Sequence, residues 1–332
     1  MTKIAVIGAS SYEGRHMLLS LLDRGLAHIG FDDDRSQLRP GQTDPDNLRR
    51  IDIHNSAEVL AAFRSFNITD VIHLPHRGTV AKSLKDPLDA FEAVLTTLMS
   101  VLRASAEAGL NSFVLSSTAS VYGTPATIPV PETAPLNPIS PLGTAAMSAE
   151  RMLRDVCAAY AIPYTVLRYF NAAGADPTGR ADESAAPKHL ITAAIRVATG
   201  LRQGPLRSYG DDYDTPDGTA IRDYVHVADV AGAHIDAVEY LRAGGSPITL
   251  NCGYGAGASV QDVIKSVERV TGRPLDVIVE GRRDGDPPQH IADTATIRSV
   301  LGWQPQYNDL DLIVRTAMDW ETRHGLVEAE HA

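Results

Sequence analysis

NSFVLSSTASVYG at residues 111–123, continued by SPLGTAAMSAE at residues 140–150, is the stretch around which the rest of the chain arranges itself. Ser112 to Leu115 reads as a buried strand, and it delivers three hydroxyls, Ser116, Ser117 and Thr118, to the carboxyl edge of a sheet. A helix starts near Pro141, small residues fill 143–149, and Arg151, Met152 and Leu153 continue it as an amphipathic helix. Strand-end hydroxyls that face a helix start at the carboxyl edge of a parallel sheet are where α/β proteins hold ligands.

Working outward, Ile4 to Ile7 is a short apolar run, Gly8 to Gly14 a glycine-bearing turn and Met17 to Leu22 an apolar helix stripe. Strand, turn and helix in this order give a glycine pattern its meaning as a dinucleotide site. The turn reads Gly8-Ala-Ser-Ser11-Tyr12-Glu13-Gly14. Ser11 puts a Cβ where the backbone would approach a pyrophosphate, and Glu13 adds negative charge to a site built for anions. A second strand, His28 to Phe31, ends at Asp32, close to twenty residues after the turn, where a carboxylate bonds the adenosine ribose hydroxyls. This register favours NAD over NADP. Asp70 to Leu74 forms a further strand. The expected fold is therefore a Rossmann-like, doubly wound and mostly parallel α/β sheet over residues 1–170. A smaller substrate lobe spans 171–324, and the chain returns to the first domain near 216–250.

The 332 residues are 44% hydrophobic and 21% charged, enough for a sizeable core and against disorder. A net charge of −11 disfavours a nucleic-acid surface. Cys157 and Cys252 form neither a disulfide framework nor a metal constellation. The opening MTKIAVIGAS lacks the basic and long apolar regions of a secretory signal, and no stretch reaches the roughly 20 apolar residues of a membrane span. A cytoplasmic protein without membrane or metal partners is expected.

SSTASVYG with SPLGTAAMSAE resembles the catalytic segment of the UDP-glucose 4-epimerase family of extended short-chain dehydrogenases. Further matches are Arg168-Tyr-Phe-Asn171-Ala-Ala-Gly174, His189-Leu190 at a helix start, the run from Tyr209 to Asp229 through Arg222, LNCGYGAGASV from Leu250, and Arg282-Arg283-Asp-Gly-Asp286. The resemblance covers about Lys3 to His324. It implies NAD as cofactor, with Asp52-Ile53 beside the adenine. It implies a nucleotide-sugar substrate whose diphosphate meets Asn171, Arg222 and Arg283, whose nucleoside meets His189, Leu190, Tyr209 and Asp286, and whose sugar passes His290 as a size gate. It also implies a homodimer through helices near 87–108 and 141–160, whose apolar stripes include Leu88, Phe91, Leu95, Leu98 and Leu102 and Met147, Met152 and Val156.

In that family a Tyr-x-x-x-Lys pair opens the helix. Tyr takes the proton of the sugar hydroxyl while NAD takes a hydride from C4, and Lys lowers the Tyr pKa. Here Leu142 and Ala146 occupy those two positions, while Thr118 keeps the place of the hydroxyl that bonds the reacting oxygen. The sequence after the Asp70 strand, Pro75-His76-Arg77-Gly78, and Ala93 to Leu98 depart from the family as well. A replacement acid/base would come from His76, the first choice by chemistry, or from Tyr122 or Glu13. Three readings stand: an epimerase or a related dehydratase or oxidoreductase with a rearranged acid/base, a catalytically degenerate protein that binds a nucleotide sugar or NAD, and a non-redox enzyme.

Overall fold

The computed structural model describes residues 2–33, 47–75, 78–181 and 189–329, with side chains to Arg323. Seven strands form one sheet. In chain order these include β1 (Ile4–Ile7), β2 (His28–Asp32), β3 (Leu48–Arg50), β4 (Asp70–His73), β5 (Ser112–Thr118) and β6 (Tyr164–Tyr169), with Ile248–Cys252 as the last. The spatial order runs Ile248–Cys252, β6, β5, β4, β1, β2, β3, and every pairing is parallel. The strand order reverses between β1 and β4, so the crevice at their carboxyl ends is the topological switch point at which such sheets bind ligands. The parallel, doubly wound sheet expected from the sequence is what the chain forms.

Helices cover both faces, and this is why β1, β4 and β5 are apolar without alternation. One face packs Val6, Ile72, Val114 and Leu167 against α1 (Tyr12–Asp23) and the helices Leu190–Thr199 and Val227–Arg242. The other packs Ile7, Val71, Phe113 and Leu115 against α2 (Ser56–Ser65), α4 (Pro87–Ala108) and α5 (Pro141–Tyr160). A short α3 (Val80–Lys85) leads into α4. Proline opens both α4 and α5, where a missing N–H costs nothing. Asp86 and Ser140 cap them through the N–H groups of Asp89 and Gly143.

After β6 the chain builds small sheets beyond the carboxyl edge. Asn171–Ala173 pairs with Tyr224–His226, Ile221–Arg222 joins Ala258–Ser259 and Gln289–His290, and Leu206–Tyr209 pairs with Val277–Glu280. Ser259 caps the helix Val260–Thr271 in a reciprocal box with Asp262. These pairings hold Asn171, Arg222, Tyr209 and His290 over the sheet's carboxyl edge. Both cysteines are buried free thiols, and burial pushes Cys157 up to about 12. No helix is long and apolar enough to cross a membrane among the described residues.

Candidate active site

Two adjoining cavities lie over the strand ends. One, of about 360 Å³, is lined by Asn171, His189, Leu190, Tyr209, Arg222, Arg283 and Asp286 among others. The second, of about 270 Å³, is lined by Thr118, Ser120, Ser140, Phe170 and His290, and by Gly78, Thr79 and Val80 just before and at the start of α3. Asn171, His189, Arg222 and Asp286 line both, so the two are halves of one cleft. Every residue assigned to the substrate from the sequence lines one half or both.

The cations of the first half are already placed. The Arg222 side chain is 11% exposed, donates to the carbonyls of Ile221 at 2.8 Å and Pro288 at 3.4 Å, and lies 3.4 Å from Asp286. The Arg283 guanidinium lies over Tyr209, 3.4 Å from the ring centroid. Arg282, outside the lining, lies over Tyr213 and pairs with Asp212 at 2.6 Å. Arg202 and Arg207 also line this half. Sequence reading missed them because nothing in their neighbourhood marks them off from surface arginines.

In the second half Thr118 is half-buried. Its hydroxyl accepts from Ser120 N–H at 3.2 Å and donates to the Ser120 hydroxyl at 3.2 Å. His290 is buried, and its Nε2 donates to the Gly123 carbonyl at 2.6 Å. Burial lowers His290 to about 4, outweighing the Gly123 bond, so it is neutral at physiological pH. Gly123, at φ +63, is packed against the 137–139 segment: a Cβ there would lie 1.9 Å from the Asn137 carbonyl oxygen. Phe170, which the sequence reading passed over, stands edge-on to His290 with centroids 6.3 Å apart.

Leu142 and Ala146 are both buried. Leu142 packs with Ala145, Ala149 and Leu153, and Ala146 with Tyr122 and Phe170. Neither place offers a proton carrier. For Tyr122 the structure corrects the sequence reading. Its hydroxyl donates to Asn251 Oδ1 at 2.7 Å and accepts from Arg168 at 2.9 Å, and the ring is 1% exposed. Burial raises its pKa against the pull of Arg168. Tyr122 belongs to a wall that also holds Arg168 on Glu150 at 2.6 Å and the Ser117 hydroxyl on Glu150 at 2.5 Å. His76 lies outside the described residues.

At the switch point, Gly8 has φ +82, and a Cβ on it would lie 2.1 Å from the Leu74 carbonyl oxygen. Gly14 is as confined: its Cβ would lie 2.3 Å from the Gly8 carbonyl oxygen. Ser11 caps α1, accepting from Gly14 N–H at 3.0 Å and donating to the Gly8 carbonyl at 2.7 Å. Its side chain is thereby folded back onto the turn. Tyr12 donates to the Gly174 carbonyl at 2.6 Å and ties the turn to the lobe. Asp32 ends β2, with Oδ2 accepting from Ser10 N–H at 2.8 Å and Ser10 Oγ at 2.6 Å, and Oδ1 from Asp33 N–H at 2.9 Å. Asp52 is exposed and accepts from His54 N–H, while Ile53 is buried and Asn55 caps α2. The turn, Asp32 and Ile53 fit the adenosine end of a dinucleotide. Glu13, half-buried in the first turn of α1, accepts from the Tyr169 hydroxyl at 3.1 Å. Tyr169 is the register partner of Thr118, so this carboxylate is tied to the strand next to the one bearing Thr118.

A parallel switch-point crevice with a glycine turn and a strand-end carboxylate, joined to a lobe that presents arginines over the same edge, defines a doubly wound nucleotide-binding protein. The comparisons agree and are more specific. The pattern of the NAD dependent epimerase/dehydratase family matches residues 4–253, and the chain belongs to that family. It is similar to UDP-glucose 4-epimerases of Azospirillum brasilense, 42% identical over 96% of this chain and 92% of that one, and Rhizobium leguminosarum bv. trifolii, 39% identical over 96% and 97%. Among solved structures it resembles UDP-glucose 4-epimerase from Brucella ovis in complex with NAD, with TM-score 0.89 and 36% identity over 96% of this chain and 98% of that one. It also resembles the Bifidobacterium longum enzyme in complex with NAD⁺ and UDP, with TM-score 0.88 and 30% identity over 97% and 98%.

Proposed function

We infer that this protein is an NAD-dependent nucleotide-sugar epimerase in which the acid/base has moved away from the helix α5. The observation that carries the reading is the two-part cleft. Arginines and Asn171 line one half, Thr118 the other, and four residues are common to both. A nucleotide sugar has the same two parts, an anionic nucleoside diphosphate and a neutral sugar. Arg222, Arg283 and Asn171 hold the diphosphate, Tyr209, His189, Leu190 and Asp286 the nucleoside, and Thr118 the sugar hydroxyl, with His290 limiting its size. Gly8, Ser11, Tyr12 and Gly14 with Asp32, Asp52 and Ile53 hold NAD, and Glu13 borders it in the same turn. The bound cofactor supplies the hydride acceptor and donor for the sugar carbon. Residues 1–170 serve the cofactor and 171–324 mainly the substrate, with 216–250 returning to the first domain. Two copies associate through α4 and α5, whose outer surfaces leave Leu88, Met99 and Tyr160 exposed.

The test is whether the purified chain releases NAD under mass spectrometry and interconverts C4-epimeric sugars on UDP, dTDP or GDP. A monomer at micromolar concentration in sedimentation would remove the dimer. The burial of Leu142 and Ala146 in apolar clusters favours a second reading, a catalytically degenerate binder of the same ligands. Tight binding without turnover of any of these sugars would select it.

A further inference from the structure

A groove of about 520 Å³ opens between α5 and the sheet strands β6 and Ile248–Cys252. It belongs to neither half of the cleft. Met147, Val166 and the Tyr164 ring form an apolar floor, and Arg151 and Arg154 stand at its rim on successive turns of α5. Both guanidiniums share one carboxylate. Asp155 lies 3.1 Å from Arg151 Nε and 3.8 Å from Arg154 Nε. The carboxylate that lines the groove itself, Glu150, is bound to Arg168. Nearby Glu132 turns away, accepting from Asn251 N–H and the Thr296 hydroxyl. The rim therefore carries net positive charge on a chain whose total is −11. Among the described residues the hydroxyls of Tyr164 and Thr249, which also line the groove, make no hydrogen bond with the protein.

We propose that this groove is a second ligand site, for a small organic anion whose phosphate or carboxylate meets Arg151 and Arg154 and whose aromatic or branched apolar body covers Met147, Tyr164 and Val166. The volume falls within the range of small-molecule pockets, roughly 300–1,000 Å³, and exceeds what a bare inorganic anion would fill. Guanidiniums select phosphate or carboxylate through paired N–H donors, and the floor selects against a fully polar ligand. The Tyr164 and Thr249 hydroxyls can bond the remaining polar atoms. The site is separate from the cleft, yet Glu150 and Arg168 line it and also hold Ser117, the neighbour of Thr118.

The experiment uses the full chain saturated with UDP and calorimetric titration with phenyl phosphate, phenol and inorganic phosphate. Phenyl phosphate is expected to bind at one saturable site per chain, at least about tenfold tighter than either fragment. Arg151→Gln with Arg154→Gln should loosen it about tenfold while leaving UDP affinity unchanged. Ser148→Trp fills the groove from α5 while both arginines are kept, and should abolish phenyl phosphate binding even if the double variant folds poorly. The proposal is overturned by absence of saturable binding, by displacement with excess UDP, by equal affinity for inorganic phosphate, or by binding that survives Ser148→Trp.

Discussion

Replacing Arg283 by Ala removes a guanidinium that is exposed at the mouth of the diphosphate half and rests on Tyr209, 3.4 Å from the ring centroid. A hydrogen bond from a charged group contributes about 1.5–3 kcal/mol. In the free protein Arg283 already gains about 0.5–1 kcal/mol from the ring, as expected for an exposed cation–π contact. It gives that up on turning to a phosphate. The difference, about 1–2 kcal/mol, corresponds to a loss of about 5- to 30-fold in UDP affinity.

Arg222 differs because it is 11% exposed and braced by two carbonyls and Asp286, with no ring to leave. Arg222→Ala should therefore lose the full 1.5–3 kcal/mol, roughly 10- to 150-fold. Calorimetry with UDP at fixed ionic strength reads both losses, and thermal melting of the free proteins separates them from misfolding. Unchanged affinity in Arg283→Ala would place the diphosphate elsewhere. A larger loss for Arg283→Ala than for Arg222→Ala would refute the claim that bracing sets the order.

Leu142→Tyr with Ala146→Lys should add little to turnover and lower the melting temperature, because the lysine enters an apolar cluster; a gain of about 100-fold or more would instead mark an epimerase that had only lost its base. Glu13→Gln removes a carboxylate from the first turn of α1, and should raise NAD affinity by about 2- to 5-fold, read as the fraction of protein that retains cofactor through purification. Arg180 bridges Asp176 and Asp23, and although burial alone would raise Asp176, the Arg180 and Thr178 bonds hold it well below its usual value; Asp23 is lowered chiefly by Arg180. Both carboxyls are lowered in the folded state, so their contribution is present above the unfolded carboxyl pKa and is lost as pH falls below it. Arg180→Gln should cost about 1–2 kcal/mol at pH 7 after allowance for solvent at the arginine, and less at pH 3, as read from urea midpoints.

The sheet was legible because strands buried on both faces are apolar throughout, as Ile4 to Ile7 and Phe113 to Leu115 are. Its limits were less so. β5 runs on through Ser116, Ser117 and Thr118, which pair with Leu167, Arg168 and Tyr169. A polar strand end of this kind is stabilised from outside, here by Glu150 on Ser117, and the strand itself carries no sign of that partner. Arg222 and Arg283 were found from the resemblance of their motifs, but the stacking of Arg283 on Tyr209 joins two distant segments that no local pattern connects. Tyr122 misled for the same reason. Its partners, Arg168 and Asn251, are 46 and 129 residues away, and without them its hydroxyl reads as available.

The remaining question is which group moves the proton, and the lining of the sugar half narrows it. The titratable side chains there, among the described residues, are His189, Arg222, Asp286 and His290. Arg222 is paired with Asp286, while His290 is neutral down to about 4 and committed to the Gly123 carbonyl. His189 lines both halves together with Asn171 and Arg222, the groups proposed above to hold the diphosphate. Gly78, Thr79 and Val80 line the same half as Thr118, and His76 stands two residues before Gly78 in the sequence. A histidine is the side chain suited to give and take a proton near neutral pH. His76→Ala should therefore lower kcat by about 10²- to 10⁴-fold and leave UDP affinity intact, whereas His189→Gln should weaken UDP binding and leave the pH profile of kcat in place. The opposite pattern, with kcat and its pH dependence lost in His189→Gln and kept in His76→Ala, would move the proton transfer to His189.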